Sequence, residues 1–374
     1  MNFDFTKQEN ELFASVYQEA NEIIQNNDID SIASDKVEQA VRESLKKLAK
    51  TGYLNLGLNN QKDSLLIMGV MEQLSSLSQS LCLIAESSTR ILGKILSTWG
   101  TENQKEKWLK SLMKGEIISA TAISENSMNV YNEPLKTAGV KDSDSIIVNG
   151  EKNYVVNAPW ADIFAVVGVL DNCQAVFLIE KNTQGLQVTQ RLYPMGYEGV
   201  SISGISLNDC RISSDNVIII DKSINALSKI KLWENQILIG LSLGLMKSSF
   251  IFAKSFSNSH KTGGKPIIAY QEIAFKLADM LALYQTSQLF AYRSAWLVDN
   301  DEKEAESVSF CAKIFATESS EKVVSNGMQI LGASGYMSKN PIEKAMRCVK
   351  YGQIAGTSSE IARVKIGDDI LKMN

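Results

Sequence analysis

Histidine is almost missing from this chain of 374 residues: His260 stands alone. That weighs against a Ser-His-Asp triad or a histidine-built metal site, so no metal is expected. Acid–base work then falls on carboxylates or on a cofactor. Cysteine is sparse and odd in number. Cys82, Cys173, Cys210, Cys311 and Cys348 are scattered, which fits reduced thiols in a cytoplasmic protein better than a disulfide framework. Only five prolines occur, and four of them (Pro134, Pro159, Pro194 and Pro266) fall in or just beyond the middle third. An excess of either charge is missing too. With 38 basic and 42 acidic residues the net charge is −4, without the basic footprint that nucleic-acid binding needs. No apolar run reads as long enough to span a bilayer. The N-terminus, Met1-Asn2-Phe3-Asp4-Phe5, lacks the basic-then-apolar signature of a secretory signal.

What is present divides into three stretches. Residues 1–117 read as helices: Leu12, Phe13, Val16, Tyr17, Ala20, Ile23 and Ile24 recur with helical spacing, and Val37 to Leu48 and Leu65 to Leu96 do likewise. Thr101 is placed to cap a helix from Glu102 to Met113. Residues 118–222 are rich in β-branched residues and short alternations. Ile146 to Val156 reads as a hairpin turning on Asn149-Gly150. Phe164 to Leu170 and Ala175 to Ile179 read as buried strands. Residues 223–374 return to long, nearly proline-free helices, Asn225 to Phe256, Gln271 to Val298 and Glu302 to Leu331. Helices, a small β segment, then helices imply an α+β protein with segregated layers rather than an alternating βαβ fold.

Few residues point to chemistry by themselves. Glu234 shares a helical stripe with Leu238, Leu241 and Leu245. A carboxylate at the head of an apolar stripe is partly desolvated, which suits proton abstraction. The same residue also reads as an exposed glutamate near a helix start. Gly240 and Gly244 permit a close helix–helix approach. Gly332, Gly335 and Gly356 fall between helical segments, where backbone N–H groups meet phosphate or merely turn the chain. His260 to Lys265 is a small basic loop open to the same two readings.

Longer matches run through the whole chain. They include Gly100 to Lys105 with Trp108-Leu109, Ala122-Ile123-Ser124-Glu125, Asn149-Gly150-Glu151-Lys152 with Asn157, Gln329 to Tyr336, and Gly356-Thr357. In order and spacing they resemble the flavin-dependent acyl-CoA dehydrogenases. The resemblance implies an N-terminal helical domain, a middle β-barrel or sandwich domain and a C-terminal four-helix bundle. It also implies FAD and the α,β-dehydrogenation of an acyl thioester, in which a carboxylate takes the α-proton and the β-hydrogen leaves as hydride. Most members carry the base just before the Gly-Thr pair, where this chain has Ala355. Members similar to isovaleryl-CoA dehydrogenase place it on the first long helix of the C-terminal domain, and there it falls on Glu234.

By the same resemblance, Ile123, Ser124, Tyr154, Val155, Val156, His260, Gln271, Gln329, Gly332 and Thr357 are candidate flavin contacts. Val130, Asn235, Ala355 and Gly356 are candidate substrate contacts. Several positions depart from the family pattern. Tyr154-Val155-Val156 replaces Trp-Ile-Thr, His260 to Gly264 replaces Arg-x-x-Phe-Gly, Asn126 to Tyr131 replaces a glycine-rich loop, and Asn235 stands where an arginine is usual. The expected partners are an acyl thioester on CoA or a carrier protein, a second copy of the chain in a homodimer or homotetramer, and an electron-transfer flavoprotein. A folded but non-catalytic relative serving as an acyl-binding or assembly partner, and a reductase on the same scaffold, are the alternatives.

Overall fold

A computed structural model describes residues 4–58, 61–126, 134–338 and 340–372. The chain opens with helices α1 (Lys7–Asn26), α2 (Val37–Lys50), α3 (Ser64–Leu77), α4 (Gln79–Ala85) and α5 (Ile91–Trp99), followed by the short α6 (Glu102–Gln104) and α7 (Lys110–Met113). Thr6 and Thr101 each close a capping box, with Glu9 and Gln104 as reciprocal partners. The helix expected from Leu65 to Leu96 is broken. Ser78 leaves the helical region (φ −147°), and its hydroxyl accepts from the Leu81 N–H to start α4. Between α4 and α5 the turn widens into a π-helical segment, Glu86–Arg90.

Strands follow: β1 (Ser119–Ala122), β2 (Ala138–Asp142), β3 (Ser145–Val156), β4 (Ile163–Leu170), β5 (Cys173–Glu180), β6 (Leu186–Val188), β7 (Ile202–Ser213) and β8 (Val217–Ile219). They form one sheet in the order β6-β7-β3-β2-β4-β5-β8, with β1 parallel to β4. The hairpin expected on Asn149-Gly150 is corrected. β3 runs straight through that dipeptide, and the turn lies earlier, at Ser143, which takes φ 55° between β2 and β3. Pairing with β7 overrides the local turn signal. Gly150 makes a bulge there (φ 153°), and the Asn149 side chain bonds Asp209 across the strands. Strand β4 is buried on both faces. Phe164 and Val166 enter a core inside the sheet, whereas Ile163, Ala165 and Val167 join the helical core.

The chain ends with α8 (Ala226–Ser259), a two-stranded β9 (Lys261–Thr262) and β10 (Lys265–Pro266), α9 (Gln271–Asp299), α10 (Ala305–Leu331), α11 (Pro341–Ile354) and α12 (Ser359–Lys372). The basic loop after His260 is thus a hairpin turning on Gly263-Gly264, both at positive φ. By length and composition α8 is apolar enough to cross a membrane, contrary to the reading from sequence. However, 72% of its most apolar stretch is buried inside the protein. Gly240 and Gly244 let α8 lie against α3. A Cβ on Gly240 would come within 2.8 Å of Met71, and one on Gly244 would collide with the Ser75 hydroxyl and reach 2.6 Å from the Ser76 nitrogen. Ser75 donates to the Gly240 carbonyl across that contact, at 3.1 Å. This contact fixes the first half of α8, from which Glu234 projects.

Candidate functional site

A cavity of about 620 Å³ opens where the middle strands meet α8 and the end of α11. Its walls include Ile123 and Ser124 after β1, Tyr154 and Val156 of β3, Glu234 of α8, and Ala355 and Gly356 after α11. Leu83, Ser87 and Ile91 line it from the helices around the π-helical turn, and Leu192 to Pro194 lie across it from the segment before β7. That segment is held by α11: Arg347 donates to the Met195 carbonyl at 3.0 Å and pairs with Glu198.

Three expected contacts turn away from the cavity. Val155 is 1% exposed and points into the sheet core, because side chains alternate along β3 and Tyr154 and Val156 take the cavity face. Tyr154 itself sits at φ 55°, at a register shift between Lys152 and Val155. Asn235 is fully buried. Its amide accepts from the Thr357 N–H at 3.1 Å and donates to the Thr357 hydroxyl at 3.0 Å. Asn235 and Thr357 therefore hold the C-terminal loop onto α8 instead of facing the cavity. Gly356 between them needs its glycine: φ is 64°, and a Cβ would come within 2.8 Å of Asn235 Oδ1 and Leu238. Val130 lies outside the described residues.

The Glu234 carboxylate is partly open to the cavity, with its side chain 31% exposed, and Oε2 accepts from Lys231 Nζ at 2.6 Å. Leu238, Leu241 and Leu245 along its stripe are buried. Lys231 is itself buried, and its Nζ lies 3.4 Å from the Gly356 carbonyl. From α10, Lys313 donates to the Ala355 carbonyl at 3.0 Å and to the Thr357 carbonyl. Burial pushes the Lys313 ammonium down to about 8; the charge of Glu234 opposes this and that of Lys231 adds to it. Burial raises the Tyr351 phenol, and the Glu234 charge adds to it. On the far side of Ser124, Lys152 donates to the Ile123 carbonyl at 3.0 Å and to Glu125 at 2.7 Å, pinning the strand to β3. Sequence reasoning passed over Lys231, Lys313 and Tyr351. The i,i+3 spacing of Lys231 and Glu234 was the one readable signal.

A second cleft, of about 640 Å³, gathers His260, Phe256, Thr262, Tyr270 and Gly332 to Ser334. His260 stacks on Phe256 at 4.8 Å. Gln271 and Gln329 are exposed beside it, at the start of α9 and the end of α10. Gly332 is at φ 58°, and a Cβ there would meet nothing within 4 Å. Glu234 and Phe256 are 22 positions apart on α8, or about 33 Å along the axis. The expected flavin contacts thus divide between two separate places on one chain.

Three domain descriptions match in order: "Acyl-CoA dehydrogenase, N-terminal domain" over residues 6–116, "middle domain" over 120–210 and "C-terminal domain" over 232–371. A 3-(aryl)acrylate reductase of Clostridium sporogenes is 27% identical over 353 residues, covering 90% of this chain and 92% of that one. The structure of butyryl-CoA dehydrogenase from Megasphaera elsdenii superposes with a TM-score of 0.90 at 20% identity, covering 99% of this chain and 100% of that one. The prolyl acyl carrier protein oxidase AnaB gives 0.87 at 24% identity, covering 98% and 100%. With all three domains matched in sequence order and the helix–sheet–helix architecture shared end to end, the chain belongs to the acyl-CoA dehydrogenase family, FAD-dependent oxidoreductases that act on CH–CH bonds.

Proposed function

We propose that this chain dehydrogenates an acyl thioester and that Glu234 is the base. One observation carries the reading: among the described residues that line the cavity Glu234 is the carboxylate, and it stands on the same cavity wall as Ala355, the position where most of the family carries its base. Removing the α-proton breaks the Cα–H bond. The proton passes to the carboxylate, and the electron pair stays on the thioester. The apolar wall of Leu83, Ile91, Ile237 and Leu238 takes up the acyl group and keeps bulk water from the carboxylate.

The residues present fit FAD. The cavity offers an open wall of Ser124, Tyr154 and Val156, and the loop at Gly356 leaves no room there for a side chain of its own. Ile123, Ser124, Tyr154 and Val156 are the residues that would hold the flavin end, and when bound FAD accepts the β-hydrogen as hydride. His260, Gln271, Gln329 and Gly332 lie too far along the helices to reach the same molecule. They serve the cofactor of a second copy, which makes the working unit a homodimer or a pair of dimers. The cytoplasm is the proposed compartment, and all five cysteines are free thiols. An electron-transfer flavoprotein is the proposed electron partner. The reductase of Clostridium sporogenes favours keeping the reverse direction open, since the same base position serves protonation at the α-carbon.

The test is the visible spectrum of the purified protein, followed by anaerobic addition of acyl thioesters on CoA, on pantetheine and on a carrier protein. A bound-flavin spectrum that bleaches with one class, and no longer bleaches in Glu234→Gln with flavin retained, supports the reading. A protein that refuses added FAD sinks it and favours a non-catalytic acyl-binding role. Good turnover of free acyl-CoA with none of the carrier-bound group removes the carrier version.

A further inference from the structure

We infer that Lys231 is a positioning residue for the base: its buried ammonium clamps Oε2 of Glu234 to the C-terminal loop and leaves Oε1 for the substrate. This rests on the proposed role of Glu234 and adds a residue that the role does not require. Lys231 Nζ is 2.6 Å from Oε2 and 3.4 Å from the Gly356 carbonyl, and its side chain is 4% exposed. Among the described residues, Oε1 of Glu234 takes no hydrogen bond.

An i,i+3 pair on a helix surface is mobile and weakly held. This pair differs because one partner is buried. An ammonium out of water needs its counter-charge, because an unpaired ion carries its full desolvation penalty. The other carboxylates nearby are engaged or outside the cavity: Glu125 is paired with Lys152, and the charge of Glu360, which reaches Lys313, sits on an exposed residue of α12. Lys313 faces Glu234 from α10, Tyr351 faces it from α11, and Lys152 approaches Lys231 from β3. Two of these three are cations and the third is a phenol that burial keeps neutral. Glu234 is thus the available anion, and Lys231 restricts its carboxylate to one orientation.

The loop is part of the same clamp. Its three consecutive carbonyls, at Ala355, Gly356 and Thr357, face the two lysines, with Lys313 taking the outer two. Lys231 therefore ties the base on α8 to the C-terminal loop beside it on the same cavity wall. When the Cα–H bond breaks, the proton reaches Oε1, and the Gly356 carbonyl remains as a partner for the ammonium while the carboxylate loses its charge.

The experiment uses the FAD-loaded protein, with Lys231→Met and Lys231→Arg. Carbodiimide with glycine ethyl ester labels accessible carboxylates, and peptide mass spectrometry reads the rate at Glu234. Loss of α-deuterium to water, from butyryl, isovaleryl and cyclic acyl thioesters of pantetheine, reads proton abstraction apart from hydride transfer. In Lys231→Met, labelling of Glu234 rises several-fold, and α-deuterium loss and kcat fall about 10-fold with KM nearly unchanged, the scale expected for a misplaced group. Lys231→Arg restores both. Unchanged labelling, or unchanged kcat at full FAD content, overturns the inference. A wild-type protein that releases no α-deuterium from any thioester sinks the dehydrogenase reading, and the clamp on Oε2 is then decided by the labelling alone.

Discussion

Two glutamates, one on α8 and one packed against it, have opposite surroundings. Glu72 of α3 is 2% exposed and fully engaged: Tyr284, Gln288 and Tyr292, one stripe of α9, all donate to it, and Lys247 of α8 lies 3.7 Å away. Burial, with the Glu72 charge adding to it, pushes both phenols well above their usual range, so they stay neutral donors. Among the described residues Glu234 keeps one hydrogen-bond partner, and it faces a cavity. Burial alone does not make a carboxylate reactive. A carboxylate whose lone pairs are all occupied joins helices, whereas one with an oxygen left open toward a cavity can take a proton.

The largest effects break that comparison in both directions. Glu234→Gln lowers thioester-driven flavin reduction by about 10³-fold, within the range of a general base, and leaves the unfolding midpoint nearly unchanged. Glu72→Ala does the reverse. It strands three donors and a lysine, costs about 3 kcal/mol of stability by urea unfolding, and leaves turnover per folded molecule intact. If Glu72→Ala lost turnover while remaining folded, the contrast would fail.

A smaller effect sharpens it. Ala355 lines the cavity with Glu234, so Ala355→Glu in the Glu234→Gln background offers a carboxylate from the other location. Stopped-flow reduction should recover roughly 1% of the wild-type rate, because a displacement near 1 Å costs about 10²-fold. Complete inactivity of the double variant would show that the loop cannot deliver a carboxylate in this cavity.

Much of the fold is legible because its signals are local. Capping at Thr101, the β-branched middle and the long helical periods each act within a few residues. Asn149-Gly150 misleads for the opposite reason: nine residue pairs with β7 outweigh one dipeptide's turn preference. Within the site, Glu234, Ser124, Tyr154, Val156 and Gly356 meet at one cavity, although their separation in sequence gives no hint of it and family order alone brought them together. Val155 could have been set aside from the alternation of a strand. Lys231 could not, because nothing in Lys-x-x-Glu says that the lysine is buried.

The finest prediction concerns Lys313, which faces the same loop without a carboxylate of its own. Its ammonium is held at about 8 by burial, below the ordinary value near 10.4. Below about 8 it is charged in both states and the folded protein bears the full burial penalty. Between about 8 and 10.4 the unfolded chain binds more protons, so stability contributed by this site rises with pH, by at most about 1.4 kcal/mol per pH unit. Lys152 titrates in the same direction, also at about 8, so wild-type unfolding alone does not isolate Lys313. The difference between wild type and Lys313→Met does: in urea titrations the advantage of the wild type should grow from pH 8 to about 10. An advantage that stays flat over that window and falls only above about 10.4 would mean that the ammonium is stabilised in the fold, with Glu234 outweighing burial. The neutral amine still has two N–H groups for the carbonyls of Ala355 and Thr357, so the loop should keep its place as the charge is lost.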